Sequence, residues 1–154
     1  MVIYRIFGVI GICLGLAFSC FAQESVMPFI PAVFWSDQAE KGVILSSPNE
    51  MTTVDVKGTK YPKITSSEPV ANASLSPDGK KIIYSTAAGL WIVSLDSQIS
   101  TKVYTGMCDV PRWSKDGAGF TFAAYEKKAG GNGEFIVKLF WADSDGKNLK
   151  QVYP

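Results

Sequence analysis

Short runs of apolar residues, separated by turn-forming residues, fill the chain after residue 32. The runs are rich in Val, Ile, Tyr, Phe, Trp and Thr, and they are bounded by Gly, Pro, Asp, Asn and Ser. This pattern is typical of β-strands that are joined by tight turns. No stretch after residue 32 has a convincing helical period, so the pattern predicts an all-β fold.

The runs repeat along the chain. Residues 74–85 (Ser-Leu-Ser-Pro-Asp-Gly-Lys-Lys-Ile-Ile-Tyr-Ser) align with residues 112–123 (Arg-Trp-Ser-Lys-Asp-Gly-Ala-Gly-Phe-Thr-Phe-Ala), and Asp78 and Asp116 lie 38 positions apart. Both copies continue with a second apolar run, an Asp-containing turn and a short closing strand. A period of about 40 residues with four strands in each unit is typical of β-propeller blades.

A less regular copy precedes these two, with Gln38–Gly42 in place of the Asp-Gly turn. Its closing strand is predicted from Tyr61 to Thr65. Three of its segments align with the second copy: Trp35–Ser36 with Leu75–Ser76, Val43–Ser46 with Ile82–Ser85, and Met51–Val56 with Leu90–Leu95. We therefore predict three four-stranded antiparallel blades of an incomplete propeller, at about residues 33–66, 67–106 and 107–154.

Two Asp-Gly turns join the first and second strands of the second and third blades. Proline fixes φ at the first corner, aspartate bonds back to the local backbone, and glycine takes the left-handed φ. We predict a structural role for the residues of both turns: Ser76, Pro77, Asp78, Gly79, Ser114, Asp116 and Gly117.

A longer link joins the second and third strands of the third blade, where the second blade has only Thr86–Gly89. Because strands in a blade alternate in direction, it lies opposite the Asp-Gly turns, together with the between-blade link predicted at Met107–Pro111. It is either a binding loop or a tolerated insertion. Its candidate binding residues are Lys127, Lys128, Gly130, Gly131, Asn132 and Gly133.

The first 22 residues resemble an export signal. Ile6–Phe18 is apolar and short for a membrane span, and small residues at Cys20 and Ala22 fit cleavage before Gln23. Two alternatives remain open, a lipoprotein with Cys20 lipidated and an uncleaved anchor. Residues 23–32 form a lead-in whose two prolines oppose regular strand pairing.

The amino-acid composition limits the kinds of functional site that the chain can hold. Of the 154 residues, 47% are apolar and 19% charged, and the net charge of +1 gives no basic excess for nucleic acid. The chain has no histidine, so the commonest general base and metal ligand is missing. Asp143–Gly146 lacks the further ligands of a calcium loop, which favours a β-turn. Cys108, the one cysteine after residue 22, is predicted to be a buried apolar residue. We predict no catalytic residue, cofactor or metal.

The tryptophans fall at repeating positions. Trp35 and Trp113 occupy equivalent places on first strands, and Trp91 and Trp141 lie on third strands. Repetition favours packing between blades over a platform for carbohydrate.

The segment 76–84 (Ser-Pro-Asp-Gly-Lys-Lys-Ile-Ile-Tyr), followed by 90–96 (Leu-Trp-Ile-Val-Ser-Leu-Asp), resembles the repeat of TolB-like β-propellers, and 112–117 resembles the next blade. The resemblance covers about residues 33–154. It implies a non-catalytic protein-binding or scaffold module in the bacterial periplasm, with a Tol-Pal-type envelope role and an unidentified protein partner.

The same repeat also occurs in propeller domains of prolyl-oligopeptidase-type enzymes. A second hypothesis is therefore an inactive fragment of such a hydrolase, and a third is an envelope lipoprotein anchored through Cys20, the one case that predicts membrane contact. Three blades are too few to close a ring, since propellers have about four to eight. Three alternatives follow: a second copy of the chain completes the ring, the three blades form an open arc, or the chain is a truncated gene product.

Overall fold

The computed structural model describes Phe29, residues 31–130 and residues 132–154, and these residues form three four-stranded antiparallel sheets. The strands of each sheet are neighbours in chain order: β1–β4 form the first sheet, β5–β8 the middle sheet and β9–β12 the last sheet. The predicted all-β fold of three four-stranded units is confirmed. The strands are β1 Ala32–Ser36, β2 Lys41–Ser47, β3 Glu50–Asp55, β4 Ile64–Thr65, β5 Val70–Leu75, β6 Lys81–Thr86, β7 Gly89–Ser94, β8 Ser100–Thr105, β9 Cys108–Trp113, β10 Gly119–Lys127, β11 Phe135–Asp143 and β12 Lys150–Tyr153.

The middle sheet is covered on both faces. On β6, Ile82 and Tyr84 pack in a core shared with the first sheet, whereas Ile83 packs in a core shared with the last sheet. Successive side chains of a strand point to opposite faces. A strand that is buried on both faces therefore needs apolar residues at successive positions, and this explains the uninterrupted Ile-Ile-Tyr run.

Two hydrophobic cores hold the three sheets together. The first core joins the first and middle sheets through Val43, Leu45, Met51, Ile64, Val70, Ala73, Leu75, Ile82, Tyr84 and Val93. The second core joins the middle and last sheets through Ile83, Leu90, Ile92, Cys108, Phe120, Phe122, Ala124 and Ala142. Each outer sheet therefore contributes one face to a core.

The pairing of β1 with β2 corrects one of the sequence alignments. Trp35 pairs with Gly42, as the equivalent Leu75 pairs with Ile82. Gly42 therefore corresponds to Ile82, and the predicted alignment of Val43 with Ile82 was wrong by one residue. The difference matters because a slip of one residue exchanges the two faces of a strand.

Two predicted boundaries in the links were also wrong. The closing strand of the first sheet is only Ile64–Thr65, because Pro62 has no N–H to donate to a ladder. The predicted link Met107–Pro111 lies mostly within β9, which begins at Cys108. A bulge accommodates the proline there: Val110 has a φ of 55°, and the pairing register with β10 shifts.

The predicted signal peptide (1–22) lies outside the described residues, as does most of the lead-in (23–32). Within the part of the chain that the structure describes, no helix has the length and apolar character to cross a membrane.

Candidate functional site

The three sheets have two ends, and the Asp-Gly turns lie at one of them, the turn end. In the middle sheet, the Ser76 hydroxyl donates to a carboxylate oxygen of Asp78 at 2.6 Å, and the backbone N–H of Lys81 donates to the Ser76 hydroxyl at 2.9 Å. Gly79 has a φ of 68°, in the left-handed region that favours glycine. The polar atoms of this turn are used within the turn itself.

The last sheet has the same turn. The Ser114 hydroxyl donates to Asp116 at 2.7 Å, and Gly117 has a φ of 71°. The hydrogen bond from Ser114 lowers the pKa of Asp116, as the bond from Ser76 lowers the pKa of Asp78. Both carboxylates stabilise turns and are occupied by local donors.

Contacts between sheets also close the turn end. The Lys81 ammonium reaches from the middle sheet to Asp145 at 2.6 Å and to the Ser144 carbonyl at 3.0 Å. Asp143 accepts the backbone N–H groups of Asp145 and Lys147, at 3.1 and 2.7 Å. The described residues contain no group of three or more acidic or cysteine side chains placed to hold a metal. The segment 143–146 is thus a β-turn that is held by its own backbone and by Lys81 of the middle sheet.

The opposite end, the loop end, is built differently. There the hairpin of β10 and β11 extends beyond β9, because each of its strands has nine residues, against six in β6 and β7. Lys127 pairs with Phe135, and the Lys128 ammonium lies 2.8 Å from a carboxylate oxygen of Glu134. The charged link is therefore carried on a projecting two-stranded ribbon.

The candidate binding residues of this link are all exposed where they are described: Lys127, Lys128, Gly130, Asn132 and Gly133. Gly130 and Gly133 have φ values of 74° and 84°, and a Cβ on either would meet no atom within 4 Å. Gly131 lies outside the described residues. The described residues of the link stand in solvent.

A groove lies at the loop end, where the middle and last sheets meet. It has a volume of about 480 Å³ and is lined by Pro69, Val70, Ala71, Thr86, Ala87, Met107, Cys108, Asp109 and Tyr125. The lining comes from the start of β5, the end of β6 and the start of β9, together with Tyr125 of β10. Met107, in the link before β9, is 53% exposed, and large apolar residues that stay exposed beside a cavity are typical of binding surfaces.

Four lining residues carry a polar side-chain group: Thr86, Cys108, Asp109 and Tyr125. The Ser85 hydroxyl donates to the Asp109 carboxylate at 2.9 Å. Cys108 is 5% exposed, and burial, aided by the charge of Asp109, raises the pKa of its thiol to about 11. The prediction that Cys108 is a buried residue is confirmed. The thiol is protonated at neutral pH and contributes an apolar wall.

The sequence indicated only part of this groove. The projecting link and Met107 were predicted to share one end of the sheets, and both lie there. The small residues that open the groove, Ala71 and Ala87, carry no signal in the sequence because their role depends on the spacing between two sheets. The four tryptophans lie on the strands predicted for them, and Trp113 donates its indole N–H across the sheets to the Ser74 carbonyl at 3.1 Å.

Comparison with known proteins gives a fold but no family. No protein-family model matches the chain, and no curated protein matches it. Solved structures do match: a TolB-like protein from Agrobacterium tumefaciens superposes with a TM-score of 0.62 at 16% identity, covering 82% of this chain and 50% of that chain.

Two proteases share the same architecture. The tricorn protease superposes with a TM-score of 0.65 at 13% identity, covering 80% of this chain and 13% of that chain. Dipeptidyl peptidase 4 from Porphyromonas gingivalis superposes with a TM-score of 0.59 at 14% identity, covering 86% of this chain and 27% of that chain. The three sheets are therefore blades of a β-propeller, and the chain spans half of the TolB-like protein and smaller shares of the proteases.

Proposed function

We propose that the chain is a non-catalytic, exported protein-binding module, and that its groove at the loop end receives an apolar segment of a protein partner. The observation that carries the proposal is the groove itself: an open cavity with mostly apolar walls, bordered by Met107 at 53% exposure. Exposed apolar surface of this kind is stabilised when a partner covers it.

The chemistry of the groove supports binding rather than catalysis. The chain has no histidine to activate a nucleophile, and the Cys108 thiol is held protonated by burial. Asp109 is the one charged side chain of the lining, and it already accepts the Ser85 hydroxyl. An apolar segment can bind to such a groove without further polar partners, because its affinity comes from the apolar surface that it buries.

The proposal that the protein is exported rests on its amino-terminal sequence, which has an apolar segment at 6–18 and small residues before Gln23. The structural similarity to TolB supports a place in the bacterial periplasm and a scaffold role in the cell envelope. Lipidation of Cys20 is the alternative, and it would place the same groove at a membrane surface. Mass spectrometry of the mature amino terminus separates the two, since a diacylglyceryl mass on Cys20 contradicts ordinary cleavage.

Site-specific photocrosslinking in cells of the native host tests the groove. A benzoylphenylalanine at Met107 is expected to give a discrete adduct with one protein, and the same residue at Lys115, an exposed position of the turn end, is expected to give none. Ala87→Lys places a charge on the exposed wall of the groove and should remove the adduct without unfolding the chain. Equal adducts at both ends, or none at Met107, would contradict the proposal.

Deletion of residues 130–133 separates the groove from the link. The groove adduct at Met107 should survive this deletion, because Gly130, Asn132 and Gly133, the described residues of the deleted segment, do not line the cavity. If the adduct is lost, the partner is held by the link instead. The alternative function, an inactive propeller fragment of a hydrolase, predicts no adduct at either end. It is motivated by the shared fold of dipeptidyl peptidase 4.

A further inference from the structure

We propose that two copies of this chain join into one closed six-sheet ring, in which the open face of each last sheet covers the open face of the partner's first sheet. The last open face consists of Phe135, Val137, Leu139 and Trp141 on β11. The first open face consists of Val33, Trp35, Ile44 and Val54 on β1–β3. This inference is independent of the groove at the loop end.

The residues of the last open face are equivalent, by strand pairing, to residues of the middle sheet that are buried. Leu139 pairs with Ala123 as Leu90 pairs with Ser85, so the two leucines are equivalent. By the same pairing Trp141 is equivalent to Ile92. Leu90 is fully buried against the last sheet, whereas Leu139 is 37% exposed because the described residues place no sheet over it.

The first open face shows the same relation from the other side. Trp35 pairs with Gly42 as Leu75 pairs with Ile82, so Trp35 is equivalent to Leu75. Leu75 is 3% exposed in the core with the first sheet, and Trp35 is 49% exposed. This face too has apolar residues at positions that a neighbouring sheet buries elsewhere in the chain.

Both open faces carry a tryptophan that lies across a glycine of the adjacent strand. A Cβ on Gly42 would lie 2.8 Å from the Trp35 ring, and a Cβ on Gly119 would lie 2.6 Å from the Trp141 ring. Each indole is therefore held flat against its own sheet. A flat, rigid aromatic surface buries a large area at low cost in side-chain entropy when a second sheet packs on it.

The repeat indicates what covers these faces. Every sheet has one face directed toward the next sheet in chain order and one directed toward the preceding sheet. In both cores, the former face of one sheet packs on the latter face of the following sheet. The two open faces are one of each kind, so one copy's last sheet fits a second copy's first sheet. Cross-strand pairing places cations on these faces, with Arg112 beside Thr121 and Lys150 beside Trp141 on the last face and Lys60 beside Val54 on the first. The segments Phe135–Val137 and Val33–Trp35 between them carry no charge.

In a dimer of this kind, both open faces of each copy are covered by the other copy. A two-fold axis repeats the same contact twice, so no face remains open, and association stops at two chains. The ring then has six four-stranded sheets, within the range of about four to eight blades in which propellers close. In one copy, the described residues leave Val33 and Trp35 of the first face and Val137 and Leu139 of the last face exposed.

The test is sedimentation equilibrium of the chain, expressed from its first residue in a bacterial host and purified as processed. We expect the mass of two chains. Leu139→Glu and Ile44→Glu each place an unpaired carboxylate in both contacts of the ring, so each should weaken association at least about tenfold and give the mass of one chain. Ile99→Glu, at a residue 67% exposed and on neither open face, should leave the mass of two chains.

Mixing the two variants distinguishes this ring from other dimers. Leu139→Glu keeps a normal first face and Ile44→Glu a normal last face, so a mixture restores one intact contact and should associate more strongly than either variant alone. Circular dichroism melting checks that both variants fold. A wild-type chain of single mass, assemblies that grow with concentration, or loss of the dimer in Leu139→Glu alone would overturn the ring. The last result would mean that two last sheets pair with each other.

Discussion

The middle and last sheets have the same plan of four strands, yet they differ in how much of each the protein covers. The central strand β7 of the middle sheet is buried along most of its length, with four of its six residues buried. Its counterpart β11 has one buried residue of nine, Ala142. The middle sheet lies between two neighbours, and in the described residues the last sheet has one.

Sequence does not account for this difference. The strand β11 reads Phe-Ile-Val-Lys-Leu-Phe-Trp-Ala-Asp, which is as apolar as Gly-Leu-Trp-Ile-Val-Ser in β7. An apolar residue is buried only when a second element lies over it. The comparison therefore shows that the strands of this repeat have apolar residues on both faces, even where the described residues place a neighbouring sheet on only one of them.

The largest effect should come from the pair of equivalent leucines. Leu90→Ala removes a fully buried side chain from the second core and should lower the free energy of unfolding by about 2–5 kcal/mol. Leu139→Ala, at an exposed position, should lower it by less than about 1 kcal/mol in the single chain. Urea denaturation at a protein concentration where the chain is monomeric measures both.

Equal losses for the two leucines would contradict the comparison, since they would mean that Leu139 is buried within the single chain. At concentrations where two copies associate, Leu139→Ala should cost more than in the single chain, and Leu90→Ala should cost the same. The dependence on concentration thus separates burial inside the chain from burial between copies.

The second prediction compares the hairpins that join the second and third strands. Gly89 has a φ of 146°, and a Cβ there would collide with the backbone carbonyl of Tyr104 on β8. Gly89→Ala should therefore lower the free energy of unfolding by about 2–3 kcal/mol. Gly130→Ala, in the open link of the last sheet, adds only the cost of a positive φ, about 1 kcal/mol. Thermal melts by circular dichroism distinguish the two, and a Gly130→Ala change as harmful as Gly89→Ala would show that the link packs on other parts of the molecule.

Much of this fold could be predicted from the sequence, because the repeat and its turns act locally. Asp78-Gly79 and Asp116-Gly117 fix where strands reverse, and the alternating apolar residues that follow fix which segments pair. The one-residue error at Val43 arose where the first sheet lacks this turn. Without a glycine to mark the corner, the sequence allowed two registers, and only the pairing of Trp35 with Gly42 decides between them.

The candidate site could be predicted only in outline. The link at 127–134 was visible because it is long and rich in glycine, and the end of the molecule on which it lies follows from strand direction. The groove beside it is made by Val70, Ala87 and Met107, from three separate links and strands. Its volume depends on the distance between two sheets, which no local pattern encodes.

The smallest expected effect compares the two Asp-Gly turns. Ser76 is 3% exposed and holds the N–H groups of Lys80 and Lys81 with its hydroxyl, at 3.1 and 2.9 Å. Ser76→Ala removes the hydroxyl that accepts the Lys81 N–H, whereas the Lys80 N–H keeps the Asp78 carboxylate at 3.1 Å, so the change should lower the free energy of unfolding by about 1–2 kcal/mol. Ser114 is less buried, so Ser114→Ala should lower it by less than about 1 kcal/mol. Urea denaturation measures both changes at neutral pH.

The same turn predicts a dependence on pH. The hydrogen bond from Ser76 lowers the pKa of Asp78 below its ordinary value of 3.8 in the folded chain. A group whose pKa is lower when folded stabilises the protein above its unfolded pKa, and that stabilisation is lost as the pH falls through the folded pKa. The difference in unfolding free energy between the wild type and Asp78→Asn should therefore be constant near neutral pH and shrink below about pH 4. In the Ser76→Ala background this shrinkage should be weaker, because the bond that lowers the pKa is gone. A difference that grows as the pH falls would show that Asp78 destabilises the turn when it is charged.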